Sequence, residues 1–246
     1  MTLFESIKSI VVITLFLCIA PYLFESIKKQ YMPLLEPKTN IAVVHIKDQL
    51  HNAACVIDQL HTFFKDPFIK GIVITIDCAD AAVGTSQAIF HDIKQLKKEY
   101  PKPLIALVEN VCISGAYLIA SACDYIITPE SAIIGGIGTS CNAWSLQKIS
   151  MEKNDATQSI ETESYNHLTK QVALNRKLSL TTTSNWAEGK IFTGTQALAL
   201  GLINEIGSMC TVIKILKEKA LIENDIEWIK SPTSCSQIFS LAINVQ

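Results

Sequence analysis

Apolar and polar positions follow two rhythms along this chain: short unbroken apolar runs, and longer segments in which apolar residues recur three or four apart. The runs Ile41 to Ile46, Gly71 to Ile76, Leu104 to Val108 and Tyr125 to Thr128 have the length and continuity of buried strands. Helical patterns fall between and after them, at about Ala53 to Phe64, Thr85 to Lys98, Gly115 to Ala122, Ile160 to Asn175, Thr181 to Glu188 and Cys210 to Leu221. Strand and helix in alternation predict an α/β domain whose mostly parallel sheet is covered on both faces. Within Thr85 to Lys98, Ile89, Ile93 and Leu96 keep helical spacing while Lys94, Lys97 and Lys98 fall elsewhere, which reads as a solvated face. No repeat or low-complexity tract interrupts the pattern.

Ahead of the first strand, Ser9 to Phe24 is free of charge, with an apolar core from Ile10 to Ile19 flanked by Lys8 and by Glu25, Lys28 and Lys29. The run is shorter than the roughly 20 residues of a full span, and no small-residue cleavage pattern follows it. It reads as an uncleaved, single-pass transmembrane helix over residues 1–30 that takes membrane lipid as a partner. A linker with Pro33 and Pro37 covers 31–40, the domain 41–230, and a tail 231–246. Lys28, Lys29 and Lys38 outnumber Lys8, so the positive-inside rule places the domain on the cytoplasmic side.

With 246 residues the chain suits one sizeable α/β domain, and a net charge of −2 with a pI near 6.2 excludes nucleic acid as a default partner. Seven of the eight cysteines lie outside the anchor, without a C-x-x-C pair and mostly in apolar runs, as buried free thiols do. That usage leans toward a reducing compartment, or one where burial protects the thiols. Neither a metal nor a cofactor is expected.

The candidate chemistry centres on Ser114, which falls where the apolar run ending at Val108 gives way to the small-residue helical segment from Gly115. Its hydroxyl is either a plain N-cap or a nucleophile beside backbone N–H groups able to hold an oxyanion. Ser114-Gly115-Ala116-Tyr117, Ile119-Ala120-Ser121-Ala122 with Asp124, and Gly135-Gly136-Ile137-Gly138 resemble the Ser-Gly-Gly-Tyr-Tyr-Ile-Ala segment and Gly-Ser-Ile-Gly turn of the SppA-type signal peptide peptidases. A second block, Gly189 to Ala197 and on through Gly201-Leu202-Ile203-Asn204 to Gly207, is similar to the ending of that family. The likeness runs from Ile41 to Leu216.

The resemblance implies a ClpP/crotonase-like fold, assembly into a homo-oligomer, a domain outside the cytoplasm, and a membrane-anchored serine endopeptidase cleaving apolar peptides such as signal-peptide remnants. It makes Ser114 the nucleophile and a neutral lysine after the glycine turn its base; Lys153 is the positional counterpart, with Lys148 in reserve, in a segment that is abbreviated here. The family's Asn-Ser-Pro-Gly-Gly loop is replaced by Asp77-Cys78-Ala79-Asp80-Ala81, so the oxyanion donors become the N–H groups of Gly115 and Ala81. A carboxylate at Asp80 would repel the oxyanion if it pointed inward. Gly136, Ile137 and Gly138 form either an edge for a substrate strand or a plain tight turn. His167, the one histidine downstream of Ser114, reads as a surface residue, which disfavours a Ser-His-Asp triad. Two rival readings are a catalytically impaired homologue that binds peptides or assembles with a partner, and a crotonase-type enzyme acting on acyl-thioesters.

Overall fold

Main-chain pairing carries three of the apolar runs well beyond their apolar cores: β1 spans Thr39–Leu50, β2 Ile69–Ala81 and β3 Leu104–Ile113. The computed structural model describes residues 13–27, 38–138 and 155–230, in two units, Met1–Lys38 and Thr39–Gln246. In the second unit β4 (Tyr125–Thr128) lies where the pattern puts it. Four shorter strands were not anticipated: β5 (Ile133–Gly135), β6 (Ile191–Thr193), β7 (Glu205–Ile206) and β8 (Ile226–Lys230).

All eight strands form one sheet with the order β6-β5-β3-β2-β1-β8, to which β4 and β7 attach beside β3. Every pairing is parallel except that of β5 with β6. β3 divides its partners: Ile105 to Leu107 pair with β4, and Val111 to Ile113 pair with β5. The second half of β3 thus leads to Ser114 with β2 on one side and the β5 turn on the other.

Residues 13–27 form helix α1. Helices α2 (Ala54–Lys65), α3 (Val83–Glu99), α4 (Gly115–Ser121) and α5 (Asp155–Arg176) follow, then a 3₁₀ turn at Leu180–Thr182. Three more complete the set: α6 (Thr183–Trp186), α7 (Gly194–Ala199) and α8 (Met209–Ala220). The period-two alternation of the strands sorts their side chains between two cores. Ile72, Ile74 and Ile76 join Leu60 and Phe64 of α2, Ile89 and Ile93 of α3 and Tyr117 of α4; Val73, Ile105 and Leu107 join Val212 and Leu216 of α8.

One expectation reaches beyond the described residues, and two need correction. Residues 1–12 and 28–37 of the anchor and linker, and the tail 231–246, lie outside the described residues; among the described residues no helix is long and apolar enough to cross a membrane. The anchor therefore has no support from the structure. Lys97, read as part of a solvated face, instead reaches Asp124 at 2.5 Å and the Ala122 carbonyl at 2.9 Å, tying α3 to the end of α4. Cys55 is disulfide-bonded, while Cys78, Cys112 and Cys123 are buried and free as anticipated.

Candidate active site

Ser114 follows β3 directly and opens α4, and its backbone sits at φ 55°, ψ −123°. A β-carbon in that region is crowded, at a cost of about 1–3 kcal/mol, so surrounding contacts must enforce it. They do. The Ser114 N–H donates to the Gly135 carbonyl at 2.9 Å, and the Ser114 carbonyl accepts the first helical bond from Leu118 at 3.2 Å. The hydroxyl makes no capping bond, which removes the N-cap reading. Ser114 lines a small cleft with Val83, Ser86 and Gln87 of α3, Leu118 of α4, and Ser164 and Leu168 of α5.

Gly115 is required by its surroundings. A β-carbon there would overlap the Ser86 hydroxyl and lie 2.8 Å from the Ala81 carbonyl oxygen. Tyr117, fully buried two residues further on, donates from its hydroxyl to the Leu202 carbonyl at 2.5 Å. Arg176 holds the same loop by donating to the Gly201 carbonyl from Nε at 3.1 Å and from Nη2 at 3.0 Å, and to Asn204 Oδ1 at 2.8 Å. The second sequence block is thus scaffolding beneath α4, with no side chain in the cleft.

The Ala81 corner answers the two doubts raised by its sequence. Neither Asp80 nor Ala81 has a positive φ, so the backbone at this turn asks for no glycine. The Asp80 carboxylate lies 3.9 Å from His51 Nε2, beyond β1, and is absent from the cleft lining. The N–H of Ala82 donates to the Leu50 carbonyl of β1 at 2.9 Å. Successive N–H groups along an extended strand point to opposite sides. That of Ala81 therefore points away from β1, toward the β3 side where Ser114 and Gly115 lie.

The glycine turn is largely occupied. Gly136 N–H donates to the Lys190 carbonyl at 2.8 Å, and the Ile137 carbonyl accepts from Gly189 N–H at 2.9 Å, so these two groups already pair within the protein. Gly138, at φ 77°, packs so closely on the Tyr165 ring of α5 that a β-carbon would overlap it. Residues 139–154, which follow Gly138, lie outside the described residues. Lys153 and Lys148 fall in that stretch.

Among the described residues no lysine lines the cleft. Lys102, whose pKa burial lowers, donates to the Phe63 and Asp66 carbonyls at the end of α2 and serves as a clamp there. His167 is half-buried rather than exposed; its Nδ1 lies 3.2 Å from Nε2 of the cleft residue Gln87, and its ring tilts against His91. Nearby, burial pushes the Cys78 thiol up to about 11 and that of Cys112 well above its ordinary range, so neither is a competing nucleophile. The sequence reading missed Val83, Ser86, Gln87, Leu118, Ser164 and Leu168. Their only trace is helical spacing within α3, α4 and α5.

The chain is similar to known proteins in sequence and in fold. The model of peptidase family S49 matches residues 96–150 and 142–223, together just over half of the chain. A provisionally named protease of Methanocaldococcus jannaschii is 27% identical over 202 residues, covering 72% of this chain and 64% of that protein. The chloroplastic serine protease SPPA of Arabidopsis thaliana is 25% identical, covering 68% of this chain and 28% of its own length. Protease 4 of Haemophilus influenzae is 24% identical, covering 58% and 27%. The chain thus spans less than two thirds of the length of these relatives. Among solved structures, a ClpP1 mutant of Listeria monocytogenes superposes with a TM-score of 0.51 at 13% identity, covering 68% of this chain and 91% of that one, a likeness of fold.

Proposed function

The chain belongs to peptidase family S49, and we propose that it is a serine endopeptidase of the SppA type that cleaves apolar peptides such as signal-peptide remnants, with Ser114 as nucleophile. The observation that carries this reading is the uncapped Ser114 hydroxyl, held at φ 55° where β3 meets α4 and lining a small cleft.

In the proposed reaction Ser114 Oγ attacks the scissile carbonyl while its proton passes to a neutral lysine, Lys153 or in reserve Lys148. The carbonyl oxygen becomes an oxyanion facing the N–H groups of Gly115 and Ala81. The C–N bond then breaks as the lysine returns its proton to the leaving amine, and water hydrolyses the Ser114 ester. The apolar lining from Val83, Leu118 and Leu168 favours an apolar side chain beside the bond.

Residues 1–30 act as a single-pass anchor in membrane lipid, and the domain assembles with copies of itself; retention after carbonate extraction and a multimeric mass by light scattering test the two in turn. Turnover of a fluorogenic apolar peptide by the full chain, compared with Ser114→Ala, tests the central reading. Cleavage that persists in the variant removes it. Peptide binding without turnover in either protein supports the non-catalytic alternative instead.

A further inference from the structure

Ser86 is fully buried in the first turn of α3, between the two corners that carry the proposed oxyanion donors. Its N–H and its Oγ both donate to the Ala82 carbonyl, each at 2.9 Å. The N–H bond is the ordinary start of a helix. The hydroxyl adds a second bond to the same oxygen and fixes the Ala82–Val83 peptide, just beyond Ala81. On its other side Ser86 meets Gly115: a β-carbon built there would overlap Oγ and lie 2.9 Å from the Ser86 β-carbon. One buried side chain therefore spaces the Gly115 backbone and fastens the Ala82 carbonyl, one residue after Ala81.

We infer that Ser86 is a positioning residue that sets the separation of the Gly115 and Ala81 N–H groups, an assignment that rests on the Ser114 peptidase reading. Donors aimed at a charge that develops only in the tetrahedral state affect turnover far more than substrate binding. At the β2–α3 corner the hydroxyl bond to the Ala82 carbonyl adds to the main-chain bonds that Ala82 makes with Leu50 and with the Ser86 N–H. Losing the hydroxyl loosens both donors without removing either.

The test measures kcat and KM of the full chain on an apolar fluorogenic peptide, affinity for a peptide aldehyde that forms a tetrahedral adduct, and the melting temperature. Ser86→Ala is expected to lower kcat about tenfold, less than the roughly 10²–10³ of deleting a donor outright, and to weaken the aldehyde by a similar factor. KM should stay within about twofold. Ser86→Cys, which keeps a weak donor at the same place, should recover part of both losses. Unchanged kcat and aldehyde affinity in Ser86→Ala, whatever its melting temperature, overturn the assignment while leaving the Ser114 reading intact. If Ser86→Ala does not fold, Ser86→Cys decides: its kcat and aldehyde affinity must fall together, and wild-type values for both overturn the assignment. A wild-type chain that neither turns over peptide nor reacts at Ser114 overturns both proposals.

Discussion

Two neighbouring parallel strands end in strand-to-helix corners that face each other, and only one is strained. At β3–α4 the corner residue, Ser114, sits at φ 55°; at β2–α3 the backbone through Asp80, Ala81 and Ala82 has no positive φ. Aiming a side chain out of a tight corner requires an unfavourable backbone, whereas presenting an N–H group requires only that the strand end in the right phase. The Asp-Ala pair in place of two glycines is thus compatible with the donor role, since the carboxylate turns toward His51 and the N–H of Ala81 toward β3.

The most severe way to break this comparison is to empty the strained corner. Ser114→Ala should reduce peptide turnover by at least about 10³-fold while preserving the melting temperature, because the hydroxyl caps nothing. Next comes Gly115→Ala, whose β-carbon would displace Ser86 and press on the Ala81 carbonyl, moving both donors at once. A loss of about 10²–10³ in kcat is expected, and a variant with wild-type kcat would show that the corners need not be in register.

A gentler probe lies just upstream, where Cys78 of β2 faces Cys112 of β3. Burial raises the Cys78 thiol from its ordinary 9.0 to about 11, and a raised folded-state value stabilises below the unfolded value and is lost as pH climbs through the folded one. Melting temperature should hold up to about pH 9 and fall between about 9 and 11, and Cys78→Ala should flatten that fall. An identical fall in the variant would assign the alkaline transition to other groups. The smallest effect is expected at the relaxed corner: Asp80→Gly with Ala81→Gly should change kcat within about twofold. A large gain would mean that the side chains at 80 and 81 do obstruct the oxyanion site.

The central sheet was legible because β1, β2 and β3 are buried on both faces and read as unbroken apolar runs. β5 to β8 escaped since two to five residues show no periodicity and owe their extended form to neighbours across the sheet. Ser114 could be placed at a strand-to-helix corner, but its φ depends on Gly135, which holds it from outside the motif. The cleft wall was illegible for a related reason. Gln87 meets His167 across 80 residues of chain, and no local pattern announces that α5 closes over α3.

The most direct test of the account is mass-spectrometric mapping of the site at which a serine-directed fluorophosphonate attaches to the full-length chain, repeated across neutral to alkaline pH. The account predicts a single covalent adduct on Ser114, absent from Ser114→Ala and slowed in Gly115→Ala. No adduct at any pH, or an adduct on Ser86 or Ser164 with Ser114 untouched, would contradict it.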